Sequence, residues 1–129
     1  MKELVIILLL LLTNKILSQE EITYYDNGEI KRISNNKNGV EEVKHYYDTG
    51  QLKRKLFKND SGKKIDADIH YYKSGKLAYI WNYNKEGKRD GKWVGYDEDG
   101  NLYSVEYYTK GILIKDISCL LYTSPSPRD

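Results

Sequence analysis

Among its 129 residues the chain has one cysteine, two prolines and one phenylalanine. The lone thiol, Cys119, excludes a disulfide framework. The longest apolar run, Leu4 to Leu12, has nine residues, well short of the roughly 20 that cross a bilayer as a helix. With Phe57 as the only phenylalanine, a deep two-layer core is a poor fit, and a sheet with partly wet faces suits the composition better. A formal net charge of +2 lacks the concentrated basic surface that dominates nucleic-acid binding. No Gly-x-Ser-x-Gly elbow, phosphate loop or zinc motif is present, so neither an enzyme nor a cofactor is expected.

The two ends differ from the middle. Residues 1–18 combine an early lysine, the apolar run and a small residue at Ser18. That pattern reads as a secretory signal peptide and predicts a secreted or periplasmic, envelope-associated protein. Residues 119–129 hold the cysteine and both prolines in the string Cys-Leu-Leu-Tyr-Thr-Ser-Pro-Ser-Pro-Arg-Asp. This string resembles a translated sequencing adapter, a reading in which the natural C-terminal end is missing. The folded domain is then expected over 19–118, in a repeat array that continued further.

What the chain has in abundance is tyrosine and glycine, 13 and 10 residues. They fall in one recurring phrase: Tyr24 with Gly28 and Ile30, Tyr46 with Gly50 and Leu52, Tyr71 with Gly75 and Leu77, Tyr96 with Gly100 and Leu102. The glycines lie 22, 25 and 25 residues apart, a period that signals a repeat architecture. A second set, Gly39, Gly62, Gly87 and Gly111, falls between them. Most of the glycines follow Asn, Ser or Asp, the turn formers of hairpins. The intervening stretches are rich in Tyr, Ile, Val, Leu and Trp, and several alternate with period two. Ile65 to Tyr71 shows this alternation, and so do Leu77, Tyr79, Trp81 and Tyr83.

The pattern predicts an all-β, up-and-down antiparallel meander of eight or nine strands, near 21–25, 29–34, 40–47, 51–58, 64–72, 76–83, 91–97, 101–108 and 112–117. The spacing also predicts how each hairpin closes. A three-residue loop ending in a left-handed glycine places Tyr24 opposite Ile30, Tyr46 opposite Leu52, Tyr71 opposite Leu77 and Tyr96 opposite Leu102. A two-residue loop would pair Tyr25 with Ile30 instead, but Asp97 breaks that rule in the last repeat.

The segment Gly87 to Leu102, with Gly91, Trp93, Tyr96 and Gly100 inside it, resembles the bacterial MORN-repeat variant. Members of that family are often labelled antitoxin components of toxin–antitoxin systems. The resemblance spans about residues 22–114 and implies one β-hairpin per repeat in an elongated single sheet. It also implies binding or scaffolding, with phosphoinositide contact in some eukaryotic relatives. For an exported protein, the antitoxin label leaves only an immunity role outside the cytoplasm.

Residues that could carry chemistry occupy repeat positions first. His45 and His70 precede equivalent tyrosine pairs, about 9.6 Å and two strands apart, with no further ligand to complete a metal site. Asp97, Asp99 and Glu106 resemble a calcium loop only weakly, since Gly95 stands where the first aspartate belongs. Asp66 and Asp68 are expected on one strand face as solvated charge. Tyr25, Tyr47 and Tyr72 should point away from the Tyr24 set and form a possible binding surface. The plainer reading is a tyrosine ladder with its hydroxyls in water. The resulting expectation is a non-enzymatic binding or scaffolding module for a macromolecular partner, a protein before a membrane surface.

Overall fold

The computed structural model describes residues 18–118. The expected signal peptide and adapter-like tail therefore lie outside the described residues, apart from Ser18. Nine strands follow one another in a single sheet: β1 (Ser18–Tyr24), β2 (Ile30–Lys37), β3 (Val40–Tyr46), β4 (Leu52–Asn59), β5 (Lys64–Tyr71), β6 (Leu77–Tyr83), β7 (Gly91–Tyr96), β8 (Leu102–Thr109) and β9 (Ile112–Asp116). Each pairs antiparallel with its chain neighbours, in order β1 to β9. At about 4.8 Å per strand the sheet is on the order of 40 Å wide.

Local chemistry sets this order. Along one edge, Gly28, Gly50, Gly75 and Gly100 each donate an amide to the carbonyl three residues earlier, at 2.9–3.0 Å. The residue before each loop also donates to the carbonyl of the residue after it, as Tyr25 does to Glu29 at 2.8 Å. This is the three-residue loop that the spacing predicts, and Gly28 sits at φ +86°, where an L side chain is strained. The cross-strand pairs follow: Tyr24 faces Ile30, Tyr46 faces Leu52, Tyr71 faces Leu77 and Tyr96 faces Leu102. Each closure leaves one extra residue on the returning strand. These bulge residues are Lys31, Lys53, Ala78 and Tyr103.

A sheet of one layer has no central core between layers. Burial instead occurs where neighbouring strands crowd a side chain, as at Val43, Leu56, Ala78, Val94 and Val105. The register separates two faces. One row, Ile22, Ile33, Lys44, Lys55, Ile69, Ile80, Val94 and Val105, crosses the sheet on one side. The adjacent row runs Thr23, Arg32, His45, Arg54, His70, Tyr79, Gly95 and Ser104 on the other.

One sequence expectation fails here. Ile65 to Tyr71 does not alternate cleanly, because Asp66 adopts φ 56°. Lys55 pairs with Ile69 and Phe57 with Ile65, so Leu56 opposes three residues of β5. This wide bulge leaves Asp66 exposed and turns Asp68 inward, where it is 1% exposed. The two aspartates are not equivalent, and Asp68 is not solvated.

Candidate functional site

The second row changes character along the sheet. In its first half it is cationic: Arg32, His45 and Arg54 are cross-strand neighbours. Arg32 reaches Glu41 at 2.8 Å and Glu21 at 3.3 Å, and Glu41 also accepts a short hydrogen bond from the Ser34 hydroxyl. Beside them, Tyr25, Lys31, His45, Tyr46, Lys53 and Arg54 line a cavity of about 230 Å3. Lys31 lies over the Tyr25 ring at 5.6 Å and Lys53 over the Tyr47 ring at 5.3 Å. Burial, and then the charges of Arg54, Arg32, Lys58 and Lys53, push the His45 imidazole below its ordinary value.

At the centre stands Asp68. Arg54 donates to both of its oxygens, from Nε at 2.7 Å and from Nη2 at 2.6 Å. Lys64 Nζ approaches to 3.0 Å. His70 Nε2 lies 2.9 Å away but off line for a hydrogen bond, and this buried nitrogen has no other partner. Burial is the largest single influence and by itself would raise the Asp68 carboxyl. The contacts from Arg54, His70 and Lys64 together outweigh it and hold the group well below the usual carboxylate range.

Beyond Asp68 the face becomes aromatic. His70 packs on Trp81 at 4.6 Å, and Trp81 stacks on Trp93 at 5.3 Å with 19° between planes. Tyr79 touches Trp81 at 5.4 Å, while Tyr83 and Tyr108 flank Trp93 at 5.3 and 5.2 Å. The Tyr103 hydroxyl donates to that of Tyr79 at 2.8 Å. The Arg89 guanidinium lies 4.6 Å from the Trp93 ring and 5.2 Å from that of Tyr108. Such contacts hold the rings in fixed positions. Trp93 is also anchored through its indole N–H, which donates to the Asn82 carbonyl at 2.8 Å where the β6–β7 ladder is short. A groove of about 230 Å3 runs between Tyr79, Trp81, Trp93, Ser104 and Glu106.

Tyr24, Tyr46, Tyr71 and Tyr96 fill cross-strand pairs, and Gly28, Gly50, Gly75, Gly87, Gly91 and Gly100 all have positive φ. The hydroxyls of Tyr25, Tyr47 and Tyr72 have protein partners and are not left to water alone. Each donates to the carbonyl of the next repeat's first tyrosine, at 2.7, 2.8 and 2.7 Å. Arg54 stands between His45 and His70. The Asp97 carboxylate closes its own turn on the Asn101 amide at 2.8 Å, while Glu106 accepts from the Tyr108 hydroxyl at 2.6 Å. Among the described residues, no group of three or more His, Cys, Asp or Glu is arranged to hold a metal ion, and no helix is long and apolar enough to cross a membrane. Sequence reasoning took Asp68 for solvated charge and missed the platform role of Trp81, although the one-sided run Tyr79, Trp81, Tyr83 pointed toward the second.

The model of the MORN repeat variant family matches four segments, residues 20–38, 42–59, 69–85 and 89–110, more than half of the chain. No curated protein matches it. A solved structure of a mutant of S. aureus TarM, in complex with Fondaparinux, alpha-GlcNAc-glycerol and UDP, is 11% identical with a TM-score of 0.48. That match covers 82% of this chain but only 24% of the other.

Proposed function

The chain belongs to the MORN repeat variant family, and from that premise we propose that it is an exported, non-enzymatic binding module whose basic–aromatic face docks on a partner protein. Repeats of this family commonly serve as protein- or lipid-binding modules. The observation that carries the proposal is the row of stacked rings from His70 to Tyr108. In a two-layer domain such rings would be covered by a second layer. In this single sheet Trp93 and Tyr108 are buried among their neighbours, at 8% exposed each, while His70, Tyr79, Trp81 and Tyr83 are half-buried with no second layer described over them. Tryptophan, tyrosine and arginine are the residue types that dominate binding energy at protein interfaces.

A membrane surface is a weaker fit. The formal net charge is only +2, and Lys44, Lys55, Lys58 and Lys64 are paired with carboxylates of the sheet, so the chain lacks the strong excess of positive charge that anionic lipid favours. Nucleic acid is disfavoured for the same reason.

The test is capture from an envelope extract by the wild type and by two variants whose circular dichroism spectra match it, Trp81→Ala and Phe57→Ala. A specific partner retained by Phe57→Ala, on the opposite face, and lost by Trp81→Ala supports the assignment. Equal capture by both variants overturns it. Identification of that partner as a toxin would make the protein an immunity factor acting outside the cytoplasm. Export is checked by N-terminal sequencing, with Gln19 expected first. Recovery from the cytoplasm with Met1 retained would overturn that part.

A further inference from the structure

The cavity between the first two repeats has a lining that the repeat does not require. Lys31, Lys53, Ala78 and Tyr103 are equivalent bulge residues, and Arg32, Arg54, Tyr79 and Ser104 are equivalent residues just after them. Only the first two repeats place Lys and Arg at both positions. The hairpin geometry is the same with Ala78 and Tyr79, so charge at this boundary is not needed to build the sheet.

The charge is also unanswered. In β3, β4 and β5, Lys44, Lys55, Lys58 and Lys64 each reach a carboxylate within 3.8 Å. Lys53 reaches none among the described residues, nor does Lys31, and both ammonium groups rest over tyrosine rings. The six lining residues include three permanent cations and His45 but no carboxylate. Three acids of this face are already engaged, Glu21 and Glu41 by Arg32 and Asp68 by Arg54. His45 accordingly faces Arg32 from β2, Arg54 from β4, and Lys31, Lys53, Lys58, Tyr25 and Tyr46 around it, and its imidazole is driven toward the neutral form.

We propose that this cavity is a carboxylate-binding site that receives an Asp or Glu side chain of the partner protein, beside the aromatic row that holds the partner's apolar groups. The inference rests on the protein-docking function proposed above and adds the chemistry of the partner: an acidic segment with apolar residues next to it. Two lysines at a cavity of this size, beside an Arg54 already bound to Asp68, hold one carboxylate by charge-assisted hydrogen bonds. Burial is the largest cause of the lowered His45 pKa and the surrounding cations come next, and an incoming negative charge offsets the part that the cations cause.

The probe is hexaglutamate, titrated into the full chain at low salt while the His45 and His70 imidazole resonances are followed by NMR. Binding that weakens with added salt, raises the pH at which His45 titrates, and falls about tenfold in Lys31→Met/Lys53→Met is the expected result. Lys44→Met, on the opposite face, should bind as the wild type does. The proposal is overturned by no response of His45 to hexaglutamate, or by equal affinity in the double variant. A response only to inorganic phosphate or to phosphatidylglycerol vesicles also overturns it, by assigning the site to a phosphate group. Partner capture that needs Trp81 but not Lys31 and Lys53 would remove this site and leave the docking face intact.

Discussion

The Tyr47 hydroxyl donates to the backbone carbonyl of Tyr71 at 2.8 Å and thereby ties one hairpin to the next. Tyr25 and Tyr72 make the same bond to Tyr46 and Tyr96. The tyrosine pair of each of the first three repeats thus has two tasks. Its first ring packs against Ile or Leu inside the hairpin, and its second reaches forward to the neighbouring repeat. Replacement of Tyr47 by Phe keeps the ring and removes the bond, at a cost of about 0.5–1.5 kcal/mol. The Tyr25, Tyr47 and Tyr72 sites are two strands apart, so losses in the triple Phe variant should add. Urea unfolding measures this, and wild-type stability in Tyr47→Phe would show the bond to be replaceable by water.

Asp68 gives a second prediction, with a defined sign. Its carboxyl is held below the usual carboxylate range, while the unfolded value is about 3.9. The associated stability is therefore fully present above about pH 4 and is lost as pH falls through the folded value. Asp68→Asn should remove about 2–3 kcal/mol at neutral pH. Arg54 and Lys64 are 26% and 35% exposed, and by turning to water they keep the loss below that of a sealed pair. The variant should also lose stability less steeply than the wild type between about pH 4 and pH 2. Parallel pH profiles for the two proteins would count against this account.

What was legible in the chain follows the range of the physics. Period-two alternation and left-handed glycines are local, and they were enough to place nine strands, the three-residue loop and the four tyrosine pairs. Asp68 was not legible because Ile65 to Tyr71 reads as unbroken alternation. The left-handed backbone at Asp66 is favoured by neither glycine nor a turn motif in the text of the sequence. The Trp81–Trp93 stack depends on register across β6 and β7, whose ladder has two pairs and an isolated bridge from Tyr83 to Arg89. The phrase that repeats fixes register within a hairpin, not between this hairpin and the next. His45 and His70 show the same limit: equivalent in the repeat, they differ because Asp68 lies beside one and a cluster of cations beside the other.

Two glycines should respond differently to substitution. A Cβ at Gly95 would lie 3.0 Å from Cζ and from the hydroxyl oxygen of Tyr103 and 3.3 Å from Ser104 Cβ. Gly95→Ala should displace the Tyr103 ring, break its bond to Tyr79 and cost about 1–3 kcal/mol. Gly28 has nothing within 4 Å but sits at φ +86°, so Gly28→Ala costs about 1 kcal/mol through backbone strain alone. Asparagine tolerates that conformation, and Gly28→Asn should recover most of the loss while Gly95→Asn recovers none. Recovery at both positions, read from thermal melts, would contradict the contact proposed at Gly95.

The last prediction concerns the open edge. Among the described residues β9 pairs on one side only, with β8. It carries Ile112, Leu113 and Ile114 at 67%, 48% and 63% exposure. Three consecutive exposed aliphatic residues on a strand with one open edge combine free backbone donors and acceptors with apolar surface, the two ingredients of edge-to-edge association. The chain should therefore self-associate as its concentration rises. Lysine at the edge opposes pairing by charge and by its need for hydration. Ile112→Lys/Ile114→Lys should shift the population to monomer in sedimentation velocity runs. Both side chains are already wet, so unfolding stability should stay within about 0.5 kcal/mol of the wild type. A wild type that remains monomeric at all concentrations, or a double variant that associates equally, would show that β9 is not the contact.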